Sequence, residues 1–172
     1  MSLIRPDNFG NERYMALALA EARKAFDHEE VPVGAIIVYG DRIVGAGYNR
    51  REQQRSSLAH AELLAIEQAS RELGTWRLSE CCLYVTLEPC IMCAGAILQA
   101  RIGGLVFGCL DPKAGAVESL YRLCDDGRLN HRLPAAGGVL AQDCAALLEK
   151  FFSRLRDKKR QEKNRGEVAE PG

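Results

Sequence analysis

Residues 33–48 read as two apolar strands, 33–39 and 42–48, joined by the dipeptide Gly40-Asp41 and set between stretches of helical periodicity. A two-residue Gly-Asp linker between extended runs is the signal of a tight hairpin. Upstream, 11–28 places Tyr14, Leu17, Ala18, Ala22, Ala25 and Phe26 at helical spacing with charges on the other side, which predicts an amphipathic helix. Downstream, 59–73 carries Leu63, Leu64, Ile66 and Leu73 and ends at Gly74, a residue suited to a left-handed cap. Short apolar strands at 83–86 and 105–107 bracket a further helix, 90–100, with Pro89 at its entrance. Helices alternating with strands over one domain's length give an α/β sandwich, a mixed sheet covered on both faces. The strongly apolar first strand of the hairpin belongs inside that sheet. After a turn at Asp111-Pro112, a short helix is expected at 118–124, a loop at 125–138 and a long helix at 142–159.

Composition narrows the function classes. A chain of 172 residues buries roughly 70% of its unfolded surface, so its core needs no disulfide or metal staple. The first fifteen residues carry Arg5, Asp7, Glu12 and Arg13 and hold no apolar run of secretory length, which places the expected product in the cytoplasm. The longest apolar stretch, 31–39, is far short of the ~20 residues that cross a bilayer, so no membrane role is expected. Seven cysteines in a reducing compartment read as ligands, nucleophiles or small buried hydrophobes. Charge is balanced at 23 basic against 23 acidic residues, yet 150–165 holds eight Lys/Arg against Asp157 and Glu162, a local +6. That run is either a solvated helix face or an arm for phosphates.

Two short stretches carry chemistry: His60-Ala61-Glu62, opening one helix, and Pro89-Cys90-Ile91-Met92-Cys93, opening the next. Cysteines three apart on a helix share a face, and a helix N-terminus favours thiolates. With His60 they make a three-donor set suited to Zn²⁺; a fourth protein ligand would make the site structural, whereas water in that position would make it catalytic. Glu62 is the carboxylate that a water-loaded site requires as proton shuttle. Each element alone has an ordinary explanation: a redox pair, a hydrogen-bonded histidine, a dipole-favoured glutamate. Together and in this order, H-x-E before P-C-x-x-C is the signature of zinc nucleobase deaminases. Cys81, Cys82, Cys109, Cys124 and Cys144 are expected to be mainly buried small hydrophobes. Cys81 and Cys82 enter a strand on opposite faces and cannot both serve one site.

With these motifs the sequence resembles the bacterial tRNA-specific adenosine deaminases of the cytidine-deaminase-like superfamily. The match runs through Val31-Pro32-Val33-Gly34-Ala35, Asn49, His60-Ala61-Glu62, residues 86–96, Phe107-Gly108, Asp111, Lys113, Gly115-Ala116 and Asn130-His131-Arg132. The resemblance implies a three-layer α/β/α sandwich around a five-stranded mixed sheet, a homodimer, and hydrolytic conversion of adenosine to inosine at the wobble position of a tRNA anticodon. It makes His60, Cys90 and Cys93 the ligands of one Zn²⁺ per subunit. Zinc-activated water would attack C6 of adenine, with Glu62 as proton shuttle. Asn49 would hydrogen-bond the substrate base, Val33 would wall its pocket, and Asp111 would meet the anticodon loop at a base edge or sugar hydroxyl.

The deaminase domain is expected over 1–155. The basic tail, 156–172, is expected to extend a helix and then become disordered. Arg51, where proline often follows the Asn-Arg pair, and Leu110, where a polar or basic residue can precede the aspartate, depart from the family pattern and bear on RNA contacts. Phe151 and Phe152 are both expected in the core. Two other classes are weighed beside this reading: a deaminase of a free nucleobase such as guanine or cytosine, and a noncatalytic zinc-stabilised RNA-binding module. The long motif matches and the basic run favour RNA as substrate over a free base.

Overall fold

The computed structural model describes residues 8–167 and has five strands and five α-helices among them. In chain order these are α1 (Asn8–Asp27), β1 (Gly34–Tyr39), β2 (Arg42–Tyr48), α2 (Arg51–Gln54), α3 (Ala61–Leu73), β3 (Cys81–Leu87), α4 (Ile91–Gln99), β4 (Gly104–Cys109), β5 (Ala135–Ala136) and α5 (Ala141–Glu167). The sheet order is β2-β1-β3-β4-β5. β1 is antiparallel to both β2 and β3, whereas β3, β4 and β5 run parallel. The sheet is therefore mixed, and β1 is an interior strand as its apolar run predicted.

Side chains alternate along each strand, so one strand feeds two cores. Ile37, Leu83, Val85, Leu105 and Phe107 pack with α3 and α4 residues such as Ala65, Ala69 and Ile97. Ile36, Val38, Cys82, Tyr84 and Val106 face Tyr14, Met15, Ala18 and Leu19 of α1 and Cys144 of α5. Helices thus cover both sheet faces, giving the three-layer sandwich, and the central strands are apolar throughout because neither face meets water. No helix among the described residues is long and apolar enough to cross a membrane.

Helix α3 rides unusually low on β2. A Cβ at Gly47 would lie 2.5 Å from the Ala61 carbonyl oxygen, and one at Gly45 would lie 2.3 Å from that of Ala65. Glycine at both positions lets the helix backbone approach the strand. This contact fixes where the α3 N-terminus, with His60 and Glu62, emerges. Gly47→Ala is expected to destabilise the fold by about 1–3 kcal/mol through overpacking, measured as a lowered urea midpoint with unchanged slope.

Several sequence expectations are corrected. The expected helix at 118–124 is absent; only a single 3-10 turn, Leu123–Asp125, forms there. The N–H groups of Val117, Glu118 and Ser119 bond instead to the Glu88 carboxylate, which leaves no helical ladder to build. The loop expected at 125–138 contains β5, two alanines paired with Leu105 and Val106, too short to show a period. Strand β3 begins at Cys81, two residues early, and α2 had no counterpart in the sequence reading. On α1, Leu17 is exposed while Met15 and Leu19 are buried. Phe151 is buried as expected, but Phe152 is 43% exposed. The helical extension expected of the basic tail is present, since α5 continues across the 155/156 boundary to Glu167; residues 168–172 of the tail lie outside the described residues.

Candidate active site

One edge of the sheet gathers the C-terminal ends of β2, β3 and β4 and the N-terminal end of β1, since Gly34 pairs with Tyr48 and Leu87 with Cys109. The crevice beyond the carboxyl ends of parallel strands is where α/β sheets bind ligands. Helices α3 and α4 both start here, with His60 and Cys90 as their N-cap residues in extended conformation. Cys90 therefore lies just outside its helix rather than within it. Its companion Cys93 is the third helical residue and is fully buried.

His60 Nδ1 is 3.5 Å from Cys93 Sγ and 3.8 Å from Cys90 Sγ. Ions bound at Zn–N of about 2.0 Å and Zn–S of about 2.3 Å in tetrahedral geometry hold N and S about 3.5 Å apart. The three donor atoms lie within 4.8 Å of one another. Their separations and their soft-to-borderline chemistry fit zinc. They are the one such His/Cys/Asp/Glu group found among the described residues.

The electrostatics agree with a cation site. Hydrogen bonds from Cys93 and then from His60 pull the Cys90 thiol down to about 3 against the opposing effect of burial. Cys93 is pushed up by its hydrogen bond to Cys90, by burial and by the Glu62 charge. His60 is also raised, chiefly by its hydrogen bond to Cys90, so proton affinity is concentrated on this group. Metal binding displaces such protons. Glu62, in the first turn of α3 and 4% exposed, has its carboxyl pushed up chiefly by burial. A buried carboxyl with raised proton affinity is what acid-base work near neutral pH requires.

These groups open on a cavity of about 220 Å³ lined by Val33, Asn49, His60, Glu62, Cys90 and Asp111. The fold brings every substrate residue suggested by the resemblance to this one cavity. Its size, below the roughly 300–1,000 Å³ common for drug-sized ligands, suits one ring system. Asn49 is 5% exposed, and its Nδ2 donates to the Val31 carbonyl at 3.2 Å. Asp111 accepts the N–H groups of Lys113 and Ala114, closing the turn at the rim.

Other sequence candidates stand apart. Cys109 contacts the Thr86 carbonyl at 3.6 Å rather than joining the donor cluster. Burial lifts the thiols of Cys81 and Cys124 to about 11 and those of Cys82 and Cys144 to about 12, as for inert core cysteines. Asn130 accepts from Arg101 and His131 faces the Ile102 carbonyl, so this pair braces the turn after α4 and does not line the cavity.

Two glutamates escaped sequence reasoning. Glu88, 2% exposed and also lining the cavity, accepts N–H bonds from Asp111, Val117, Glu118 and Ser119 and the Ser119 hydroxyl proton. Burial raises its carboxyl, but these donors outweigh burial and lower it to about 2. A charge inside the apolar run 83–94 was the available signal. Glu30, 1% exposed behind Asn49, left no signal in the sequence.

Comparison with known proteins agrees with this geometry. Residues 9–156 match the MafB19-like deaminase family. The chain is 46% identical over 150 residues to the tRNA-specific adenosine deaminase of Bacillus subtilis strain 168, covering 87% of this chain and 93% of that one. A solved tRNA:A34 deaminase, from work on A-to-I editing at the wobble position of transfer RNA, superposes with TM-score 0.76 at 43% identity, covering 79% of this chain and 99% of that one. The guanine deaminase of Nitrosomonas europaea is more distant, with TM-score 0.68 at 26% identity over 88% of this chain and 86% of that one. A deaminase family match across most of the chain and close identity to these relatives, on a fold that assembles the His-Cys-Cys group beside a buried glutamate, mean that the chain belongs to the tRNA-specific adenosine deaminase family.

Proposed function

We propose that this protein hydrolyses adenosine to inosine at the wobble position of a tRNA anticodon, with one zinc ion per subunit held by His60, Cys90 and Cys93. The observation that carries the reading is the convergence of the three-donor group and buried Glu62 on a single base-sized cavity. Zinc held by these three residues would supply Lewis-acid activation of water as the nucleophile near neutral pH. The net reaction adds water at C6 of adenine and releases ammonia. Glu62 moves both protons: its carboxylate takes one from the attacking water and delivers it to ring N1, then takes the proton of the new C6 hydroxyl and gives it to the departing amine, so that ammonia leaves as the C6 carbonyl forms. Val33 walls the ring, Asn49 offers its amide to the substrate, and Asp111 stands at the rim beside the flanking nucleotide. The target base leaves the anticodon stack to enter, a smaller demand in a single-stranded loop than in a duplex.

The same reading makes the protein a cytoplasmic homodimer with the tRNA anticodon loop as its nucleic-acid partner. Ile91, exposed beside the ligand Cys90, leaves apolar surface for a second copy. The deaminase domain spans 1–155, and the basic tail acts as a phosphate arm. Lys150 and Arg154 lie over the Phe26 ring, and Lys158 pairs with Glu29, which ties the start of the arm to the body. Truncation after Arg154 is expected to weaken RNA binding and flatten its dependence on salt, because fewer counterions are released. Equal salt slopes for both lengths would return the tail to a solvated helix face.

The decisive assay incubates zinc-loaded protein with an anticodon-loop RNA bearing adenosine at the wobble position and measures inosine. Inosine formation supports the reaction. Its absence from protein holding one zinc per subunit, with xanthine formed from free guanine, would move the substrate to the class of the more distant structural relative.

A further inference from the structure

Among the described residues, buried Asn49 Oδ1 has no hydrogen-bond partner, although its residue lines the cavity. The other end of the amide is fully engaged: Nδ2 lies 3.2 Å from the Val31 carbonyl and 3.5 Å from Glu30 Oε2. A backbone carbonyl can only accept, so exchanging O and N in this amide would set acceptor against acceptor. Glu30 is itself fixed, since Oε1 accepts the Gln53 N–H of α2 at 2.8 Å. The buried carboxylate and the carbonyl thus hold the amide in one sense, and its free function is an acceptor.

An unpartnered buried acceptor calls for a donor from the substrate. Adenine is poor in donors: N1, N3 and N7 all accept, and the exocyclic amine is the leaving group handled by Glu62. In an internal nucleotide both the 3′ and 5′ oxygens are esterified. One donor remains, the 2′-hydroxyl, the group by which a protein tells RNA from DNA. We propose that Glu30 is a positioning residue that holds the Asn49 amide with Oδ1 toward the substrate, and that Oδ1 accepts the 2′-hydroxyl proton of the target nucleotide, so that the pair selects ribose over deoxyribose.

The inference rests on the reading of this site as acting on adenosine within an RNA strand. It assigns the Asn49 acceptor to the sugar rather than to the base, and it gives buried Glu30 a role in specificity. The test uses three anticodon-loop hairpins that differ at the target nucleotide alone: ribose, 2′-deoxyribose, and 2′-fluoro, which keeps a ribose-like pucker but cannot donate. With the zinc-loaded protein, kcat/KM is expected to fall on the order of tenfold or more for both the deoxy and the fluoro hairpins, as for a site built to bond a hydroxyl that is missing. Asn49→Ala is expected to slow the ribose hairpin and bring all three within about twofold of one another, the mark of a lost pairwise coupling. Glu30→Gln is expected to narrow the ratio as well, because its amide can donate to Oδ1 and release the lock.

Equal rates on all three hairpins with the unaltered protein would overturn the inference while leaving the proposed reaction standing. So would full activity on the fluoro hairpin, or an undiminished ribose preference in Asn49→Ala. No inosine from the ribose hairpin would instead remove the reaction itself. The three-hairpin series needs no variant, so equal rates overturn the inference even if a substitution impairs folding, and the Asn49→Ala ratio assigns any ribose preference to this amide.

Discussion

Glu62→Ala is expected to retain zinc and fold while losing about 10²- to 10⁴-fold in turnover, the usual contribution of a positioned general acid and base. Glu62 is not one of the three donors that face one another at the α3 and α4 N-termini, so its removal leaves the metal's ligands intact. Its carboxyl is buried, raised by that burial and placed in the same cavity as His60 and Cys90. Of the other carboxylates lining the cavity, Asp111 accepts the Lys113 and Ala114 N–H groups at the rim. Glu88 also lines the cavity, but it is committed to four backbone N–H groups and a hydroxyl and is lowered to about 2. Single-turnover inosine formation, with zinc content measured on the same sample, checks the prediction. Retained activity in the alanine variant would remove the shuttle assignment, and loss of zinc would mean that the carboxylate helps to hold the ion.

Glu88→Gln is expected to destabilise the protein by about 3 kcal/mol at neutral pH, the free energy linked to a carboxyl lowered from its ordinary value to about 2. The sign follows from that lowering. The stabilisation is fully present above the ordinary carboxylate value and is lost as pH falls through about 2. The gap between the parent protein and Glu88→Gln, measured by urea denaturation, should therefore be full at pH 7 and shrink on acidification below about pH 4. A pH-independent gap would assign the loss to packing instead. Activity should fall as well, because Glu88 holds the backbone of Asp111 and the segment that follows it, and Asp111 lines the cavity.

Much of the molecule is written locally in the chain. The hairpin β1-β2 follows from two apolar runs around Gly40-Asp41, and the end of α3 from Gly74 in its left-handed cap. The pairing of His60-Ala61-Glu62 with Pro89-Cys90-Ile91-Met92-Cys93 is equally legible, since both motifs sit at helix starts where backbone N–H groups and dipoles favour the chemistry. Spacing within a motif is a local property, so it survives without knowledge of the fold.

What the sequence could not announce depends on partners distant along the chain. The 118–124 stretch has a helical pattern, yet the N–H groups at its start, those of Glu118 and Ser119, are claimed by Glu88 from 30 and 31 residues away. β5 exists because two alanines happen to lie against β4, and the exposure of Phe152 reflects the face on which α5 meets the sheet. The orientation of the Asn49 amide is decided by Glu30 and the Val31 carbonyl across a turn. The sequence by itself determined the α/β layout, the candidate metal donors and the candidate proton shuttle, because each rests on periodicity or on short motifs whose residue types and order are written along the chain. The tertiary structure alone decided how the cavity is walled, because a buried polar group is satisfied by whatever the fold brings to it, and that choice is made across the chain rather than along it.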